Sequence, residues 1–268
     1  MILLSTLLWG FSYTVQSVLG DNIGSYTIVF FKAIGGIFLY PLIKLMKRRI
    51  DKQAIIGRIL IGAVAFLGCI FQQRGLMLSS VSKASFITAL YIVIVPLIEM
   101  FGGRKLKKKM LYAIICALFG LYLLCFSDTL TLNIGDLLLL IGSFFFALQI
   151  IYIDRYSVKC DPLVLTFTSQ IVISILSGVM MLIIEKPVFR ELNTMIWPIL
   201  YIVFLSGVFA QGIQFYFQKD VGPSLGSLLM SFESVFGAIG GWIFLNQVLS
   251  VKEIIGCILV FIAILIAE

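Results

Sequence analysis

The 268-residue sequence contains no histidine, and only 12% of its residues are charged. The missing histidine removes the commonest metal ligand and the usual general base. A water-facing domain covers itself with roughly 25% charged residues, so the low charge excludes the soluble class. The five cysteines form no CxxC pair, and four of them sit inside apolar runs, where a thiol acts as a small hydrophobe. There is no phosphate-cradling G-x-x-x-x-G-K-[ST] loop, no serine nucleophile elbow and no Asp-rich metal motif. ATP-driven work within the chain and hydrolytic catalysis therefore lack their working groups. The sequence calls for no cofactor and no metal, and predicts no enzyme; an intramembrane enzyme or a channel stands as the alternative class. The chain also lacks the basic lead and small-residue cleavage site of a signal peptide, so its first apolar segment is read as retained. That segment is short, and a native N-terminus longer by a few residues is the alternative.

What the sequence does have is hydrophobic residues, 61% of the total. Apolar runs bounded by charge, Gly or Pro predict helices near 2–19, 25–46, 54–78, 81–102, 110–126, 136–153, 163–184, 194–217, 221–245 and 251–267. At about 20 residues per membrane crossing, ten helices use most of the chain and leave no room for a soluble domain. The expectation is an all-α integral membrane protein whose partners are the lipid bilayer and a small-molecule substrate. A net charge of +7 would suggest nucleic acid in a soluble chain. Here the basic residues belong to short cytoplasmic loops, and no nucleic-acid partner is expected. Fourteen of the twenty Lys and Arg fall in the loops after helices 2, 4, 6 and 8, including Lys44, Lys47, Arg48, Arg49, Lys52, Arg58, Lys159, Lys219 and the GGRKLKKK run at 102–109. Arg74, Lys83, Lys186, Arg190 and Lys252 lie on the other side. The imbalance predicts both termini in the cytoplasm, in the cell membrane.

The two halves are alike in pattern. A shift of 141 lays SSVSKASFITALYI (79–92) on DVGPSLGSLLMSFE (220–233), and a shift of 136 lays LLWGFSYTV on SFFFALQII, so that Trp9 meets Phe145 and Tyr13 meets Gln149. The halves are read as 1–126 and 136–268. A repeat of five crossings enters the membrane from the opposite side in its second copy. The halves are then inverted, and a substrate site is expected where they meet near mid-membrane.

LLWGFSYTV in helix 1, VSKASFITALYIVIVPL through helix 4, and SFESVFGAIGGWIFLNQVLSVKEIIGCILVFIAILIA through helices 9 and 10 resemble the EamA-type branch of the drug/metabolite transporter superfamily. The resemblance covers nearly the whole chain. It implies ten transmembrane helices in two inverted five-helix repeats, both ends cytoplasmic, and transport of small metabolites through a central cavity. The chain departs from that pattern in three places. Family members often carry Glu-Pro in helix 9, where Ser234 follows Glu233 here; a Glu just after that helix is replaced by Asn246-Gln247; and a basic residue in helix 2, often Arg, is Lys32.

An ionised group in hydrocarbon costs at least about 2.5 to 3.5 kcal/mol, so one that persists is paired or faces a cavity. Lys32 and Glu233 are the two deepest. At about 1.5 Å per residue they lie roughly 12 and 18 Å below the outer edge, within about one helical turn of each other. They are expected to form an ion pair or to share a polar cavity. Glu233 would attract an amine-bearing substrate or bind a proton whose release is coupled to substrate movement; a purely structural Lys–Glu bridge is the alternative. Trp9, Tyr13 and Gln16 share a helix-1 face by their spacings. Gln72 and Gln73, Thr88 and Tyr91, Gln149, and Gln211 and Gln214 are further polar groups where aliphatic residues would be the default, suited to orient a polar ligand in an apolar cavity. Each of them is equally explained by an interhelical hydrogen bond. Gly35 and Gly36, and the GxxxG pairs Gly222/Gly226 and Gly237/Gly241, mark expected close helix approaches. Lys83 and Arg74 are candidates for an outer anion vestibule. The GGRKLKKK run is read as a topology determinant or as a binder of anionic lipid headgroups.

Overall fold

A computed structural model describes residues 1–48, 55–125, 133–157, 160–187, 194–245 and 250–267. Arg49, Lys52, Lys159, Arg190 and Asn246-Gln247 lie outside them. The described residues form α1 (Ile2–Gly20), α2 (Ser25–Leu45), α3 (Ile55–Leu76), α4 (Val81–Phe101), α5 (Lys108–Cys125), α6 (Ile134–Ser157), α7 (Pro162–Glu185), α8 (Ile196–Val221), α9 (223–245) and α10 (Val251–Ala267), and no strand. Seven of these helices, α1 to α4 and α6 to α8, are long and apolar enough to cross a membrane.

Local chemistry sets the helix starts. Ser80 caps α4 by accepting from the Lys83 N–H. Asp161 caps α7, accepting from the Leu163 and Val164 N–H groups ahead of a first-turn Pro162. In the SVKE segment, the Ser250 hydroxyl accepts from the Glu253 N–H and the Glu253 carboxylate accepts from the Ser250 N–H at 2.6 Å, a reciprocal capping box.

The surface is that of a protein solvated by lipid. Phe101 and Trp197 are 92% and 79% exposed, while Gln72, Gln73, Gln170, Gln214 and Gln218 are buried. This polarity is the reverse of a water-soluble fold. Helices in lipid associate through close backbone approach rather than a hydrophobic drive. The α5–α10 pair shows this, with Ala113, Ala117 and Gly120 facing Gly256, Val260, Ala263 and Ala267. A Cβ added at Gly120 would stand 2.8 Å from the Gly256 carbonyl oxygen.

Helix packing repeats with an offset of five. α1 packs on α9 as α6 packs on α4; α3 packs on α6 as α8 packs on α1; α3 packs on α7 as α8 packs on α2. The α2–α7, α4–α9 and α5–α10 pairs map onto themselves under the same exchange.

Five of the described helices depart from regular α geometry, α2 being 3-10 helical over Gly35–Phe38 and α7 π-helical over Met181–Glu185. α4 is interrupted at Leu90 and α9 at Ser231, and α8 is π-helical over Tyr201–Ala210. Of the expected GxxxG pairs of helix 9, Gly222/Gly226 does not form the close approach read from the sequence. Gly222 ends α8 with a φ of 75° and has open space beside it, and Gly226 makes only ordinary contacts. A Cβ added at Gly237 would meet nothing nearer than 3.6 Å, and the surroundings of Gly241 lie outside those described. Gly237 does stand at the close approach of α1 and α9, where a Cβ added at Gly10 would lie 2.8 Å from its nitrogen. Gly35 and Gly36 do meet α8 and α7 closely, through Val203 and Gln170.

Candidate functional site

The interrupted helices and the bundle interior enclose a cavity of about 60 Å³, space for about four waters. Trp9, Tyr13 and Gln16 of α1 line it, as do Lys32 of α2, Gln72 of α3 and Tyr91 of α4. Gln149 of α6, Gln211 and Gln214 of α8, and Glu233 of α9 complete the polar wall, with Thr88 between them. Every residue expected from the sequence to orient a ligand lines this cavity except Gln73. Gln73 is buried beside it and donates to the Gln16 carbonyl oxygen. Cys69, Phe146, Ile150 and Met230 also line the cavity, and the sequence reading missed them because sulfur and apolar side chains carry no signal within an apolar run.

Glu233 sits at the centre of the arrangement. It is 6% exposed, and its Oε1 accepts a hydrogen bond from the Tyr91 hydroxyl at 2.9 Å. Tyr91 directly follows the break at Leu90, and Glu233 stands two residues beyond the break at Ser231. The two broken helices thus bring their interrupted turns to the same point, one contributing a hydroxyl donor and the other a carboxylate. The Ser234 hydroxyl also donates to the Ser85 carbonyl oxygen at 3.0 Å, tying α9 to α4 on the far side of the breaks.

Lys32 and Glu233 share the cavity but form no ion pair among the described residues. The structural bridge is therefore not what holds them. Both side chains line the one volume.

The rest of the lining is held by hydrogen bonds that fix side-chain direction. Gln72 Nε2 donates to the Tyr13 hydroxyl oxygen at 2.7 Å, and Gln16 Nε2 to the Ser12 hydroxyl oxygen at 2.7 Å. Gln214 donates to Gln218, which in turn donates to the Ile150 carbonyl oxygen at 2.6 Å. The π-helical turn of α8 presents carbonyl oxygens sideways. Ser206 O accepts from Trp9 Nε1 at 3.1 Å, and Gly207 O accepts from Gln170 Nε2 at 2.7 Å. Such turns recur at functional sites because they widen the helix and re-aim its polar groups. Gly207 has to be glycine here, since a Cβ would collide with the backbone carbonyl of Lys32.

The expected anion vestibule is not present in the form read from the sequence. Lys83 is committed to Asp136, with Nζ and Oδ2 2.6 Å apart. Arg74 lies over the Tyr26 ring and donates to Ser25. Both cations thus serve helix ends: Asp136 also accepts from the Asn133 N–H at the start of α6, and Ser25 opens α2 beneath a Glu185 carboxylate that accepts from the Tyr26 and Thr27 N–H groups.

Three comparisons place this geometry among known proteins. The EamA-like transporter family matches residues 1–126 and 133–267. A protein of Archaeoglobus fulgidus named as an uncharacterized transporter is 28% identical over 269 residues, covering 99% of this chain and 83% of that protein. A crystal structure with 14% identity superposes with a TM-score of 0.82 over 100% of this chain and 95% of its own, a likeness of fold. The chain is therefore an integral membrane protein of the transporter class and belongs to the EamA-like transporter family.

Proposed function

We propose that the chain carries a small polar or amine-bearing metabolite across the cell membrane by alternating access, binding it in the cavity between two inverted five-helix halves, 1–126 and 136–268. The observation that carries this reading is the meeting of the two helix breaks at Tyr91 and Glu233 inside the cavity. Discontinuous helices at corresponding places in two repeats mark the binding site of many secondary transporters. Leu90 and Ser231 are separated by 141 residues, the same offset that aligns 79–92 with 220–233. The five-helix offset of the packing pairs supports two like halves, and an odd number of crossings per half gives the inversion.

Glu233 serves as counter-charge for the substrate's amine, and Lys32 across the cavity for an anionic group on the same molecule. Between substrates, a proton on Glu233 removes the cost of an empty carboxylate in a dry site, which makes a proton or substrate gradient sufficient to drive the cycle. The excess of Lys and Arg in the loops after α2, α4, α6 and α8 puts both termini on the cytoplasmic side.

The test is uptake into proteoliposomes. A carrier saturates and shows counterflow, and Glu233→Gln inserts normally but loses uptake or its pH dependence. Non-saturating conductance identifies a channel, and wild-type uptake with unchanged pH dependence in Glu233→Gln removes this residue from the mechanism.

A further inference from the structure

A second cavity lies away from the site at Glu233, at the end of the bundle where α4 and α10 finish and α5 and α9 begin. It measures about 520 Å³. Arg104, Lys105, Lys107 and Lys109 line it, all from the connection between α4 and α5 and the first turn of α5. The described carboxylate in its wall, Glu99, is already engaged, accepting from the Ser224 hydroxyl and paired with Arg104. Lys105 and Lys107 have no ion-pair partner among the described residues. Arg104 is shared between Glu99 and Asp154, but with Lys105, Lys107 and Lys109 also lining the volume the basic groups outnumber the described carboxylates beside it, which leaves the cavity complementary to an anion.

Most of the remaining lining is apolar. Pro96, Leu106, Met110 and Leu225 form its floor. At its rim, Met100 is 52% exposed, and the neighbouring Phe101 is 92% exposed on the lipid-facing surface. A freely dissolved anion has no use for such a wall, whereas an amphiphile uses both parts. We propose that this cavity seats the phosphate headgroup of an anionic phospholipid among Arg104, Lys105, Lys107 and Lys109, with its acyl chains leaving over Met100 and Phe101. Basic pockets of this kind at the ends of membrane helices suit anionic headgroups through charge, and the attraction falls off within a Debye length. The inference is independent of the transport cycle: it requires only that these helix ends stand at a membrane surface.

Native mass spectrometry of the purified full chain, titrated with phosphatidylglycerol or with phosphatidylcholine of the same acyl chains, tests it. Wild-type protein is expected to retain phosphatidylglycerol in preference to phosphatidylcholine. The triple variant Lys105→Gln/Lys107→Gln/Lys109→Gln is expected to lose affinity for it on the order of 100-fold, at roughly fivefold per lysine. A Lys44→Gln/Lys47→Gln control, which removes charge elsewhere, leaves retention unchanged. Leu225→Trp fills the cavity while keeping every charge, and it is expected to lower retention as well; it decides the matter if the triple variant does not purify folded. Equal retention of the two lipids, or full retention of phosphatidylglycerol by a folded triple variant or by Leu225→Trp, overturns the proposal. Displacement of the lipid by millimolar inorganic phosphate overturns it too, and assigns the cavity to a soluble phosphorylated solute instead.

Discussion

Replacing Gly10 by alanine adds one carbon to the α1–α9 interface at the level of Glu233. That carbon would stand 2.5 Å from Phe236 Cβ, 2.7 Å from the Glu233 carbonyl oxygen and 2.8 Å from the Gly237 nitrogen. Ordinary contact begins at about 3.4 Å, so the helices must part by roughly 0.6 to 0.9 Å, and two of the three obstructing atoms are backbone that cannot rotate away. Overpacking of this kind costs about 1 to 3 kcal/mol. The same interface supplies its own control. A Cβ at Gly237 would meet nothing nearer than 3.6 Å, and both changes gain the same helix-propensity benefit of up to about 1 kcal/mol. Propensity therefore cancels in the comparison, and Gly10→Ala should fall below Gly237→Ala by about 1 to 3 kcal/mol. Thermal unfolding of the two purified variants in one detergent reads the difference. Because the displacement moves Trp9 and Tyr13 relative to Glu233, substrate affinity should fall in Gly10→Ala and hold in Gly237→Ala. Equal melting temperatures for the two variants refute the claim that Gly10 sets the helix separation.

Other outcomes follow from the same geometry. Arg58 is 2% exposed, and its Nε and Nη1 have no partner among the described residues, so Arg58→Met, which removes buried donors left unmet, should raise the melting temperature; a fall would show that the guanidinium is paired. Lys83→Met leaves Asp136 buried without its cation and should cost about 3 to 5 kcal/mol. The double variant Lys83→Met/Asp136→Asn removes both charges and keeps one acceptor oxygen for the Asn133 N–H, while its amide N–H can donate to the Ser79 hydroxyl oxygen, which now accepts; it should recover most of the loss, and an equally unstable double variant would contradict this reading. Trp9→Phe strips the Ser206 carbonyl of its indole donor. It should cost about 1 to 3 kcal/mol and weaken substrate binding; a variant unchanged in both stability and affinity would mean that the π-helical turn holds its shape without Trp9.

Much of this arrangement was legible in the residues alone. A Gln, Tyr or Glu inside an aliphatic run is costly unless it faces something polar, which is why Tyr13, Gln72, Gln149, Gln214 and Glu233 could be picked out before their common cavity was known. Helix starts were legible where charge or proline bounds an apolar run, as near 163 and 251, while the Asp161 cap and the Ser250–Glu253 capping box emerge only from the structure. The partner of Glu233 was not legible, because depth along a helix gives no rotation about it: Lys32 has the right depth, but the Tyr91 hydroxyl makes the contact. The interruptions at Leu90 and Ser231 depend on contacts across the bundle, and no Pro or Gly stands at either position; Gly207 lies within the π-helical turn of α8, but a lone glycine in an apolar run does not announce a change of helix type. Spacing misled at the start of helix 9, where Gly222 is used for its positive φ at a helix end and Gly226 makes only ordinary contacts with Gln218 and Val221.

The central claim is that the transported molecule occupies the cavity around Tyr91 and Glu233. Cys69 lines that cavity, whereas Cys116, Cys160 and Cys257 do not. With the other four cysteines replaced, the alkylation rate of Cys69 by a small membrane-permeant maleimide reports occupancy directly. A solute that shows saturable counterflow should slow that rate in proportion to its occupancy, and should fail to do so in Glu233→Gln. An alkylation rate unaffected by a saturating transported solute would place binding elsewhere in the protein.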